Sequence, residues 1–211
     1  MSCTLIIGSK NYSSWSMRAW LLLRWLGVAF EEVTVDLYAP GARAAVQALG
    51  GETGLVPVLK DGDLAIWDTP AIFEHLYELH PQVWPSRRDD RTRARSLCGE
   101  VHSGFNALRA AMPVNTRARG RAAERTAEVE ADIARAREVW SRHRPGGWLF
   151  GEFGGADIMF APIATRFQTY GVQLDGEAAA YQARLLGHPL VAEWLRLGAE
   201  ESGVIPLLEV G

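Results

Sequence analysis

The sequence predicts an α/β domain followed by an all-helical domain. Three observations carry this. Strand, helix, strand, helix, hairpin and helix signals follow one another within residues 1–81, an aperiodic Pro- and Arg-rich stretch occupies 82–90, and only helical periodicity appears in 91–211. The chain has 211 residues, 48% of them hydrophobic and 22% charged, which is enough apolar material for a sizeable core.

Residues 4–7 are short and β-prone, 8–14 form a polar loop, and 15–26 make an apolar-rich helix stopped by Gly27. In 30–37, Val33, Val35 and Leu37 alternate with Glu32, Thr34 and Asp36, the period of a half-exposed strand. An Ala-rich helix over 40–49 follows. Residues 56–59 and 64–67 flank Asp61-Gly62, a favoured hairpin turn where positive φ is needed. Thr69 is placed to cap a helix that starts at Pro70, in which Ile72, Phe73, Leu76 and Leu79 recur at helical spacing. A parallel first pair, a right-handed crossover and an antiparallel hairpin make a thioredoxin-like plan. Helices are predicted beyond it over 91–112, 118–144, 158–170, 177–186 and 190–201. Trp15, Trp20 and Trp25 stand five apart, so they fan around the first helix and form no single stripe.

Composition narrows the function. A formal net charge of -3 supplies no overall basic field for nucleic acid, and the Arg-rich stretches 87–95 and 117–125 are interleaved with acids, as on solvated helix faces. No apolar run has the length of a membrane span. Two distant cysteines, Cys3 and Cys98, fit no disulfide framework or zinc site and suit a reducing cytoplasm; five scattered histidines give a metal little support.

Several motifs stand in a telling order: Val56-Pro57-Val58, Asp68-Thr69 at a helix start, and Gly151-Glu152-Phe153-Gly154-Gly155-Ala156-Asp157-Ile158 before a late helix. Together with the two-domain plan they resemble the cytosolic glutathione S-transferase superfamily over essentially the whole chain. The opening Ser9-Lys10-Asn11-Tyr12-Ser13-Ser14-Trp15-Ser16-Met17-Arg18 and the segment around His102 and Phe105 are similar to a bacterial, serine-type, zeta-like branch. The resemblance implies glutathione as co-substrate, a homodimer, and a small apolar electrophile. Pro57 would be cis and the Val56 backbone would bond the cysteinyl part of glutathione. Asp68 and Thr69 would hold its γ-glutamyl group, and Asp157 would satisfy backbone donors of the preceding turn. Leu55 stands where the superfamily often has a Lys for the glycyl carboxylate, leaving Lys10 and Arg43 as the candidate cations. Trp15, His102, Phe105 and Met112 would line the electrophile pocket, and Arg18 would pair with the second domain.

A free thiol titrates near 8.5, so holding glutathione as thiolate at neutral pH asks for a shift of roughly two units, about 3 kcal/mol. A helix N-terminus supplies roughly 0.3–2 kcal/mol and a donating hydroxyl roughly 1.5–3 kcal/mol. Ser13, then Ser14, are the candidate donors, with Asn11 assisting through its amide; the alternative role for one of these serines, Ser14 foremost, is to cap the helix. Conjugation is the expected reaction. A glutathione-dependent cis–trans isomerase of the maleylacetoacetate type and a non-catalytic binding protein on the same fold are the alternatives.

Overall fold

The computed structural model describes residues 3–145 and 147–211. Strands β1 (Cys3–Ile7), β2 (Phe30–Thr34), β3 (Val58–Asp61) and β4 (Leu64–Trp67) form one sheet in the order β2-β1-β3-β4. β1 pairs with β2 in parallel, and both β1 with β3 and β3 with β4 are antiparallel. Helices α1 (Ser14–Leu26), α2 (Ala42–Ala48) and α3 (Thr69–Leu79) complete the thioredoxin-like half.

The differences from the predicted bounds have local causes. β2 stops at Thr34 because, after Val35 N–H makes one last bond to the Ile7 carbonyl, the Asp36 carboxylate accepts from Tyr38 N–H and turns the chain away. β3 begins at Val58 because Pro57 has no N–H to give the ladder. Gly27 ends α1 in the left-handed region at φ 70°, where its N–H and that of Val28 satisfy the last carbonyls. The three tryptophans of α1 do separate: Trp20 packs on Trp194, Trp25 on Phe153 and Trp15 on His102.

The helical half contains α4 (Arg88–Ser103), α5 (Asn106–Ala111), α6 (Ala127–Trp140), α7 (Gly155–Thr169), α8 (Gly176–Gly187) and α9 (Pro189–Glu200). Residues 82–90 are no free connector. Val83 and Trp84 are buried, Trp84 Nε1 donates to Glu74, and α4 already starts at Arg88. The single helix predicted over 91–112 is two, broken where Gly104 leaves the helix and Phe105 takes φ 57°. A Cβ on Gly104 would lie 2.7 Å from the Glu100 carbonyl oxygen, so only glycine makes this exit. α6 starts nine residues later than predicted, since Arg117, Arg119 and Arg121 turn their side chains onto backbone carbonyls and Glu209 in an irregular segment.

α1 lies against α3, α7 and α9, so a continuous apolar core runs from Leu5, Met17 and Leu21 through Phe160 and Phe167 to Trp140 and Trp194. At its centre Asp157 accepts from Leu149 N–H (3.1 Å), Gly154 N–H (3.1 Å) and the Tyr181 hydroxyl (2.7 Å). Burial pushes its carboxyl up to about 6 against the pull of those donors. Gly154 sits at the N-cap and contributes no side-chain acceptor, so Asp157 alone holds this turn.

Candidate functional site

A cleft of about 880 Å³ opens where α1 begins. Its walls are the loop before α1 (Ser9, Tyr12, Ser13, Ser14, Trp15), the segment after β2 (residues 34–38 and Arg43), the loop before Pro57 (residues 54–56), and the chain that leaves α9 (residues 200–205).

Ser13 is the N-cap of α1: its Oγ accepts from Ser16 N–H at 3.3 Å and lies 2.7 Å from Ser16 Oγ. The cap therefore falls on Ser13 and not on Ser14, which is the first helical residue and is nearly buried. Ser14 Oγ accepts from Arg166 Nη2 at 3.5 Å, and an arginine nitrogen only donates, so the Ser14 proton remains free. Both serines line the cleft at the positive end of the helix.

Positive charge stands behind them. Arg18 is fully buried, its Nε donating to the Met159 carbonyl at 3.0 Å, and among the described residues its two terminal nitrogens have no partner. This is the contact with the helical half that the sequence suggested for it. The Arg18 and Arg109 guanidinium carbons lie 4.5 Å and 4.6 Å from the Trp15 ring centroid. Burial and the neighbouring guanidiniums depress Arg18 well below the ordinary arginine range; burial and Arg109 bring Arg166 down to about 9. Such uncompensated cations favour any anion that enters beside Ser14.

Ser13, Ser14, Trp15, Leu55 and Val56 line the cleft, whereas Asn11, Pro57, Asp68, Thr69, His102, Phe105 and Met112 do not. The Val56–Pro57 peptide is cis, and Leu55 projects half-exposed from the same loop. Asn11 is fully buried and outside the cleft wall; its Oδ1 accepts from Thr116 Oγ1 (2.8 Å) and Arg117 N–H (3.0 Å), which joins the two halves of the chain, while its Nδ2 has no partner among the described residues. Asp68, and not Thr69 as expected, is the N-cap residue of α3, at φ 74° and with no cap bond from its side chain; it is half-exposed, with His102 Nε2 3.6 Å away. Thr69 is fully buried and its hydroxyl has no partner among the described residues. Phe105 and Met112 are core residues: Phe105 packs edge-on against Phe160, and Met112, with no exposure, gives its carbonyl to Arg166 Nε. Of the two candidate cations, Lys10 is paired with Glu32, while Arg43 lines the cleft.

Sequence reasoning missed the wall supplied by the end of the chain. The Glu201 carboxylate accepts from Ser9 Oγ (2.5 Å), Lys10 N–H (2.8 Å) and Asn11 N–H (3.2 Å). Glu209 accepts from the Tyr12 hydroxyl, Asn115 Nδ2 and Arg121, and Arg117 donates to the Glu201 and Gly203 carbonyls and to Tyr12. Tyr12 is thereby a donor already committed: burial and its bond to Glu209 raise its hydroxyl above the ordinary tyrosine range. No periodicity marks residues 201–211, and the only signal was their acids facing an Arg-rich segment.

A four-stranded thioredoxin-like sheet joined through α1 to a helical half, with hydroxyls at the mouth of that helix, defines a bipartite thioredoxin-fold protein. The model for the glutathione S-transferase N-terminal domain matches residues 12–79, and that for the C-terminal domain matches 117–197. The chain belongs to the glutathione S-transferase superfamily. Among solved structures it is similar to a glutathione transferase homolog from Burkholderia with bound glutathione (TM-score 0.72, 23% identity, 94% of this chain and 98% of that one). It is also similar to the theta class enzyme of Xanthomonas axonopodis pv. citri with glutathione bound (TM-score 0.66, 22% identity, 92% and 96%). A third likeness is to the nitrogen regulation fragment of the yeast prion protein Ure2p (TM-score 0.69, 20% identity, 92% and 96%). At these identities the likeness is one of fold. No curated protein matches.

Proposed function

We propose that this chain is a glutathione transferase that holds glutathione as its thiolate at the start of α1 and conjugates it to a small apolar electrophile. The observation that carries the reading is the placement of Ser13 and Ser14, at the start of α1, in the wall of a cleft large enough for a tripeptide and a second molecule. The helix N-terminus and one hydroxyl together supply about 2–5 kcal/mol of preference for the anion, which covers the roughly 3 kcal/mol required. The buried Arg18 and Arg166 act in the same direction.

In this reading Ser13 donates to the sulfur and Ser14 stands beside it. The Val56 backbone meets the cysteinyl part and Arg43 serves the glycyl carboxylate where Leu55 offers no charge, while Asp68, at the start of α3 and outside the cleft wall, receives the γ-glutamyl ammonium only where the tripeptide extends past that wall. The apolar wall for the electrophile comes from Trp15, Tyr38, Leu55, Val204 and Ile205 and not from Phe105 or Met112. The protein works as a homodimer in the cytoplasm.

Leu55, which offers no charge at the mouth of the cleft, and Asn11, whose oxygen is turned to Thr116, favour a second reading, a protein that binds glutathione on this fold without turnover. One experiment separates the two: titration of the purified chain with glutathione by calorimetry, with thiolate absorbance followed against pH. A transferase binds the tripeptide and ionises its thiol near neutral pH. Binding with an unshifted thiol supports the second reading, and no binding at millimolar glutathione rejects both.

A further inference from the structure

Ser16 is fully buried one turn into α1, and its oxygen accepts from Gly8 N–H at 3.0 Å. Gly8 is held in that position by close packing, since a Cβ there would lie 2.5 Å from Leu37 Cδ1. Between Ser16 Oγ and Ser13 Oγ, 2.7 Å apart, lies one proton, and it can belong to either oxygen.

If Ser13 donated to Ser16, the Ser16 oxygen would accept twice and its own proton would need a further acceptor. Among the described residues none is within reach, and a buried hydroxyl left unsatisfied is costly. If Ser16 donates to Ser13, every group is satisfied. Ser13 Oγ then accepts from both the N–H and the O–H of Ser16, its lone pairs are filled, and its own proton is directed out into the cleft that it lines. This differs from an ordinary capping box, in which the third helical residue would return a bond to the N-cap backbone.

We propose that Ser16 is a positioning residue: through the chain Gly8 N–H, Ser16 O–H, Ser13 O–H it fixes Ser13 as the donor to the glutathione thiolate. The proposal rests on the glutathione reading above, in which Ser13 is the donor, and adds what orients its hydroxyl. Donors in series polarise one another, so the bond to sulfur strengthens with the relay intact.

The test compares the thiol pKa of bound glutathione, from thiolate absorbance against pH, in the parent, Ser13→Ala, Ser16→Ala and the double variant. The other charged groups at the cleft, Asp36, Arg43, Glu200 and Glu201, and Arg166 behind Ser14, are common to all four. Ser13→Ala raises the thiol pKa by about one unit or more, and Ser16→Ala raises it by about half a unit to one unit, a roughly 3- to 10-fold change in the ionisation constant, with an unchanged glutathione dissociation constant at a pH low enough to keep the bound thiol protonated. In the double variant the second substitution adds nothing to Ser13→Ala, and Ser16→Thr, which keeps the hydroxyl, restores the parent value. An equal shift from Ser16→Ala with and without Ser13, or no shift while Ser13→Ala shifts, overturns the relay and leaves the glutathione reading standing. An unshifted thiol in Ser13→Ala overturns that part of the reading itself and the relay with it. Where Ser16→Ala does not fold, Ser16→Cys, a weaker donor of similar size, gives the readout and an intermediate value.

Discussion

Asp157→Ala is expected to be the most damaging single change outside the cleft. The carboxylate is 1% exposed and is the common acceptor for Leu149 N–H, Gly154 N–H and the Tyr181 hydroxyl. Each buried donor left without an acceptor costs about 1–3 kcal/mol, so three of them bring a loss of at least about 3 kcal/mol. For a chain of this size each kcal/mol moves the melting temperature by about 2–4 °C, which gives a fall of about 6–12 °C or more. Asp157→Asn keeps an oxygen for two of the donors and removes the titration. Burial raises the folded-state carboxyl from 3.8 to about 6, so the folded protein binds this proton more tightly than the unfolded chain. Its contribution is therefore most favourable below 3.8 and declines as pH rises to about 6, by about 3 kcal/mol in all. Thermal or urea unfolding across that window measures both effects: the parent loses stability relative to Asp157→Asn as pH rises, and Asp157→Ala melts lowest throughout. An Asp157→Ala melting temperature within about 2 °C of the parent would refute the view that this carboxylate holds the turn.

Three further outcomes are expected. The Tyr12 hydroxyl and Arg121 hold the Glu209 carboxyl below the ordinary 4.5, so the contacts of the chain's end are intact above that value and are lost as pH falls through the lower, folded-state value; the protection factors of amides in residues 202–210, taken relative to the intrinsic exchange rate at each pH, should fall on acidification, and protection unchanged across that window would contradict the assignment. Arg43→Ala should weaken glutathione binding about 3- to 10-fold, the scale of one partly exposed charged contact, without moving the thiol pKa. Burial pushes the Cys98 thiol up, whereas Cys3 is only half-buried, so alkylation of the native protein should label Cys3 well before Cys98, as peptide mapping would show.

The thioredoxin-like half was legible because its signals are local: alternation in 30–37, which overran the end of β2 by three residues, Asp61-Gly62 between two short strands, Thr69-Pro70 at the start of a helical stripe. The helical half was legible in kind and less so in its bounds. Gly104 reads as an ordinary helical glycine until the Glu100 carbonyl is found in its way, and Arg117 to Arg121 read as a helix face until Glu209 is found beside them. In the site, Ser13, Ser14, Trp15 and Val56 were reachable from helix-mouth chemistry and family motifs. Phe105 and Met112 were not, because an apolar side chain carries no mark that tells a cleft wall from a core; only the packing of α4, α5 and α7 decides it. The contribution of residues 200–205 rests on contacts about 190 positions apart, such as Ser9 with Glu201, beyond any periodic signal.

The bonds from Glu201 and Glu209 to the loop before α1 also set an order of events during synthesis. That loop leaves the ribosome well ahead of Glu201, and its backbone donors at Lys10 and Asn11 meet their acceptor only after residue 201 has emerged. The sheet and α1 can assemble long before then. The cleft is thus finished after the sheet, and a nascent chain stalled short of α9 would carry a formed sheet with an unwalled binding groove.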